Sequence, residues 1–141
     1  MSRHHVEVCC QSERVRKDVF ALLADHDQLS RVFGVPCKRI KQGAQQPNGT
    51  GSVRRIGMGP VAIEETVTAF QESEYIEYRI SKGGWPLSQH RGELRFTEHQ
   101  GHTQVVWSID FAAPLSWLGH MIAATLEQGI SRGLRKALQG R

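Results

Sequence analysis

One carboxylate stands where the alternation of its strand demands an apolar side chain. Ile63, Glu65, Val67 and Ala69 alternate with Glu64, Thr66 and Thr68, and a two-residue period puts every second side chain on one face. Glu65 is therefore expected to point into a core. An ionised carboxylate among apolar neighbours is unstable unless it is paired or hydrogen-bonded. Three roles are open to it. It can anchor the polar end of a ligand, act as a general acid or base with a raised pKa, or serve as structural partner to an in-facing arginine, for which Arg54 is the candidate.

The same parity argument collects other side chains around Glu65. His90 shares a face with Gly92 and Leu94, Tyr78 with Ile80, Leu94 with Phe96, and Val105 with Trp107, Ile109 and Phe111. The expected ligand-facing set is Arg54, Ile56, Glu65, Val67, Tyr78, Ile80, His90, Leu94, Phe96, Trp107 and Ile109 from strands, with Leu126 and Ile130 from the last helix. If the chain is an enzyme, Glu65 is its acid or base, with Arg54, Tyr78 or His90 orienting a carbonyl.

Other chemistries find no support. Cys9, Cys10 and Cys37 lack a motif tying them to a histidine, and Ser52 and Ser108 lack a nucleophile elbow. His99 and His102 flank a turn without the further ligands a metal needs, so no metal is expected. Gly57-Met58-Gly59-Pro60 leads into a strand, where a dinucleotide site needs a helix N-terminus. No cofactor is expected.

The elements that must position these residues follow from periodicity. Alternation from His5 to Gln11 predicts a strand, and Ser12 is placed to cap a helix over Glu13 to Ala24 with Val15, Val19, Leu22 and Leu23 on one face. A short helical piece through Leu29, Val32 and Phe33 is stopped by Gly34 and Pro36. Strand-length segments then follow: Lys38 to Lys41, Ser52 to Met58, Val61 to Phe70, Tyr75 to Ser81, Gln89 to Thr97 and Thr103 to Phe111. After Pro114, Leu118, Met121, Ile122, Leu126, Ile130, Leu134 and Leu138 recur every three or four residues, predicting one helix from Leu115 to Leu138. Gly129 and Gly133 inside it, each unfavourable by roughly 1 kcal/mol against Ala, need close packing or a ligand to explain them. Trp85 and Leu87, beside Gly83-Gly84 and Pro86, are candidates for a lid.

Consecutive strands with short connections predict an antiparallel meander, and only the terminal helix is long enough to cover its apolar face. The expected class is α+β: a curved antiparallel sheet of about seven strands around a long C-terminal helix, with two short helices after the first strand. A chain of 141 residues without repeat or linker is expected to be a single domain over residues 1–141. The charge of +4 is scattered, which argues against nucleic acid as a partner. No transmembrane segment or signal peptide is legible, and a cytoplasmic location with reduced thiols is the default expectation. Monomer and homodimer both remain open.

Glu13-Arg14-Val15, Phe20 to Asp25, Asp27, Leu29, Phe33, Pro36, Gly51 to Ile56, Glu65-Thr66-Val67, Tyr78-Arg79-Ile80, Thr103 to Ile109 and Gly133-Leu134 together resemble the START and Bet v 1-like (SRPBCC) superfamily in its polyketide cyclase/dehydrase branch. Val32 departs from the Trp that many relatives carry there. The resemblance implies the helix-grip fold and a small hydrophobic ligand such as a lipid, isoprenoid or polyketide-like ring. It allows a cyclase or dehydratase as an alternative, and a basic module docking on a macromolecule such as the ribosome as another. Gly51-Ser52-Val53-Arg54 and Glu65 also look like the plant abscisic-acid receptors. That likeness implies a gating loop at Pro60-Val61-Ala62 and a second at His90-Arg91.

Overall fold

A computed structural model describes residues 1–139. Strand β1 (Ser2–Ser12) leads to helix α1 (Arg16–Ala24), a 3-10 turn (His26–Gln28) and helix α2 (Ser30–Phe33). Strands β2 (Cys37–Lys41) and β3 (Val53–Ile56) follow, then a second 3-10 turn (Gly59–Val61). Strands β4 (Ile63–Gln71), β5 (Tyr75–Lys82), β6 (Ser88–His99) and β7 (His102–Ala113) precede helix α3 (Ser116–Gln139). The seven strands form one antiparallel sheet in the order β1-β7-β6-β5-β4-β3-β2. This is the expected curved sheet gripping a terminal helix.

Register shifts between Val67 and Ala69, between Ser88 and Arg91, and between Arg39 and Lys41 bend the strands, since a bulge sharpens local twist. One face carries the core predicted from parity: Val67, Tyr78, Leu94, Phe96, Val105, Trp107, Ile109 and Phe111 are all buried. Phe20 of α1 sits edge-on against Phe70 and Phe96, closing one end of the interior.

The alternation over β1 is as expected, but α1 begins later than its signal. Ser12 Oγ accepts from the Arg14 N–H, a local turn that competes with helix capping, and Val15 precedes the first helical residue without a side-chain cap.

The two halves of α3 are seated differently. Ile130, Leu134, Ala137 and Leu138 are buried in its second half, whereas Gly119 is the one fully buried residue of the first. Gly133 explains the contrast, because a Cβ there would lie 1.9 Å from the Val32 carbonyl oxygen of α2. Gly129 does not share that role. It faces open space, and a Cβ there would meet nothing within 4 Å. At the other end Gly119 lies against the His4 ring, which stacks on Phe111 and meets His120 edge-on.

Candidate functional site

Register brings the expected polar residues together. Arg54 faces Glu65 across β3 and β4, Glu65 faces Ile80 across β4 and β5, and Tyr78 faces Gly92 across β5 and β6. Arg54 is 2 % exposed and Glu65 5 %. Glu65 Oε1 accepts from both Arg54 Nε at 2.9 Å and Nη2 at 2.6 Å. The structural partnership is thus real, and removing one member of such a buried pair typically costs about 3–5 kcal/mol by leaving the other charge uncompensated. Burial opposes the Arg54 charge, but Glu65 and the other groups around it outweigh that and hold its pKa above the ordinary value. The guanidinium also lies over the Tyr78 ring at 4.5 Å and near the Phe33 ring at 5.7 Å, a contact of about 2 kcal/mol when water is excluded.

The second carboxylate oxygen has a different neighbour. Glu65 Oε2 stands 4.0 Å from His90 Nε2, too far for a hydrogen bond. His90 Nδ1 accepts from the Ile80 backbone N–H at 3.1 Å, so in the neutral ring the proton sits on Nε2 and faces Glu65. Burial pushes the His90 pKa down, Glu65 works against this, and Arg54 and Arg79 add to it. The ring is neutral near pH 7.

Tyr78 OH accepts from Trp107 Nε1 at 2.7 Å, and burial and then Glu65 push its phenol pKa up. Gly92 makes room for it, since a Cβ there would lie 2.1 Å from the Tyr78 ring. Trp107 meets Phe33 and Tyr78 edge-on. Ile56, Ile80 and Leu126 are half-buried and Ile130 is buried. Phe96 belongs to the cluster with Phe20.

One expectation is corrected. His90 and Arg91 do not form a loop: they lie within β6, and Gly83 to Leu87 make the turn. Trp85 is 90 % exposed while Leu87 is half-buried, so only Leu87 touches the core. Open clefts lie away from the pair, one of about 300 Å³ lined by Ala44 to Gln46 and Phe70 and another of about 510 Å³ lined by Lys38, Ile40 and Arg55.

Sequence parity missed a second buried polar group. His26, 1 % exposed, bonds through Nε2 with Ser52 Oγ at 2.8 Å. Its Nδ1 is the one buried side-chain nitrogen or oxygen without a partner among the described residues. It sits in a 3-10 turn too short to show a period, so only the flanking Asp25 and Asp27 marked the place. Burial pushes the Cys37 thiol up to about 11, with Arg54 opposing, so that cysteine is inert. Among the described residues no three His, Cys, Asp or Glu side chains converge on a metal position.

A family model described as polyketide cyclase / dehydrase and lipid transport matches residues 3–140. The chain belongs to that family. Solved structures share the fold at low identity. A solution structure from Thermobifida fusca is 19 % identical with a TM-score of 0.78, over 95 % of this chain and 89 % of that one. A START superfamily protein from Mycobacterium smegmatis is 11 % identical with a TM-score of 0.76, over 96 % and 97 %. The crystal structure of Ara h 8.0201 is 16 % identical with a TM-score of 0.71, over 99 % and 100 %. Compared by sequence with curated proteins, the chain has no match. Among the described residues no helix is long and apolar enough to cross a membrane.

Proposed function

We propose that this family member binds a neutral, largely apolar small molecule between the sheet and the first half of α3, and that a hydroxyl of the ligand is held by Glu65 and His90. The observation that carries this reading is a pair of polar atoms 4.0 Å apart, Glu65 Oε2 and His90 Nε2, that do not hydrogen-bond each other. One accepts and the other donates. A hydroxyl about 2.8 Å from each completes both bonds, giving its proton to Glu65 and accepting from His90. A carboxylate ligand is disfavoured there, because Glu65 has already used Arg54 and repels a second anion.

Access comes from α3. Its first half is held by fewer buried side chains than its second, and segments with few buried contacts open at the lowest free energy. Lifting residues 116–129 while the Gly133 contact with α2 holds admits a ligand without unfolding the sheet.

A binding role accounts for the ion pair better than acid–base catalysis does. Protonating Glu65 would leave Arg54 buried without its counter-charge, and among the described residues Glu65 is the only carboxylate acting on Arg54, Tyr78 and His90. The basic-module reading loses support as well, because Arg54 is buried, Arg55 pairs with Glu64, and Arg91 and Arg95 pair with Glu77 and Glu93.

Matched probes test the reading: 1-naphthol, naphthalene and 1-naphthoate, titrated by calorimetry and followed by native mass spectrometry. The naphthol is expected to bind at least about tenfold tighter than the other two, equivalent to about 1.4 kcal/mol. His90→Phe should erase that preference while the protein stays folded. Preferential binding of the acid, or no binding of any of the three, overturns the proposal.

A further inference from the structure

The end of the sheet where β3 turns into β4, β5 into β6 and β7 into α3 is dressed unlike the rest of the molecule. Register puts these three connections together: Ile56 pairs with both Cys37 and Ile63, and Ser88 pairs with Ala112. A Cβ on Gly83 would lie 3.1 Å from the Ala62 carbonyl oxygen, so the first two connections touch. Residues 57–62, 83–87 and 114–121 contain no Asp, Glu, Lys or Arg, although 23 % of the chain is charged.

Large apolar side chains stand out from this end. Trp85 is 90 % exposed, Val61 83 %, Met58 68 % and Trp117 63 %. Leu115 and Met121 are exposed beside Trp117. The N-terminal Met1 joins them, its sulfur accepting from Ser88 Oγ at 3.4 Å. Around this uncharged cap lie exposed cations, Arg3, Lys38 and Lys82. The acid beside them, Glu64, is already engaged by Arg55.

We infer that this end is a docking surface for an anionic lipid bilayer. Trp85, Val61, Met58 and Trp117, each 63 % exposed or more, present separate projections instead of a continuous shaped face. A fluid interface accepts such projections, whereas a folded partner requires complementary packing. Tryptophan is the side chain best suited to the headgroup boundary, and flanking lysine and arginine add attraction to anionic lipid at about 1 kcal/mol per cation near the surface. A cap without acids, ringed by cations, has the matching electrostatic profile. The inference stands on exposure and charge, and it does not depend on what the interior holds.

Vesicle co-sedimentation tests it with the intact chain, using phosphatidylcholine vesicles and vesicles carrying about 30 % phosphatidylglycerol at low salt, where the surface potential is least screened. The protein is expected to partition onto the anionic vesicles. The doubly substituted Trp85→Ala, Trp117→Ala protein should lose at least about tenfold of that partitioning. Its melting temperature should not change, since both side chains are exposed. Absence of binding to either vesicle overturns the inference, and so does undiminished binding by the double variant. Sedimentation velocity without lipid guards against the other occupant: a concentration-dependent dimer that the same two substitutions abolish would assign this surface to a second copy and overturn the lipid assignment.

Discussion

The His26 ring is enclosed with Nε2 bonded to Ser52 and Nδ1 without a partner. Burial, then Arg54 and Arg39, lower its pKa from 6.5 to about 3, Asp27 opposing. A depressed histidine pKa means the unfolded chain takes a proton that the folded chain refuses, so stability is full above the unfolded value and falls as pH drops toward the folded one. Over that window the loss reaches about 2 kcal/mol by about pH 5. His90, also depressed, acts in the same direction. Urea unfolding at about pH 7.5 and about pH 5 should therefore show a fall in stability that is smaller by about 2 kcal/mol in His26→Gln, which cannot titrate. Equal falls in the two proteins would exclude His26 as the cause. The same residue marks what parity cannot find. Glu65, Arg54 and His90 were legible because strands carry a period of two, and a deviation from it is visible. A histidine in a three-residue turn breaks no pattern.

Among the elements, α3 shows how identical residues acquire opposite roles. Both interior glycines carry the same helical penalty, and for both the sequence called for close packing or a ligand. Packing separates them, since Gly133 meets a backbone carbonyl that cannot retreat while Gly129 meets nothing. Gly133→Ala is expected to destabilise the protein by about 2 kcal/mol or more through overpacking, and Gly129→Ala to stabilise it by up to about 1 kcal/mol through helix propensity. Thermal unfolding of the two variants checks this. A fall in both would show that Gly129 also admits a neighbour. Helix length, the meander and the order of elements were legible because each rests on local period and turn residues. The side on which a helical glycine is crowded was not, because it depends on the path of α2, set by contacts distant in sequence. The start of α1 was misplaced for a related reason: Ser12 satisfies the Arg14 amide in a turn, and a capping side chain does not reveal which structure it caps.

At the scale of the whole molecule, the sheet remains open and leaves two edges, β1 and β2. The first packs against α3. The second is a five-residue strand bearing Lys38, Arg39 and Lys41 around an exposed Ile40, and an apolar side chain on an unpaired edge invites another strand to add. Two features oppose that. The lysines repel a second copy of the same edge, and the Asp27 carboxylate accepts the Arg39 backbone N–H at 3.0 Å, occupying a donor that an incoming strand would need. Asp27 thus protects the edge from the 3-10 turn that also carries His26, so one short connection both seals the interior and guards the rim. Asp27→Ala together with Lys41→Val should increase light scattering steeply with protein concentration, while Asp27→Asn, which keeps an acceptor, should behave as the unsubstituted chain. If the double variant stays as clear at high concentration as the parent, the edge is blocked by the sheet's own twist and not by these side chains.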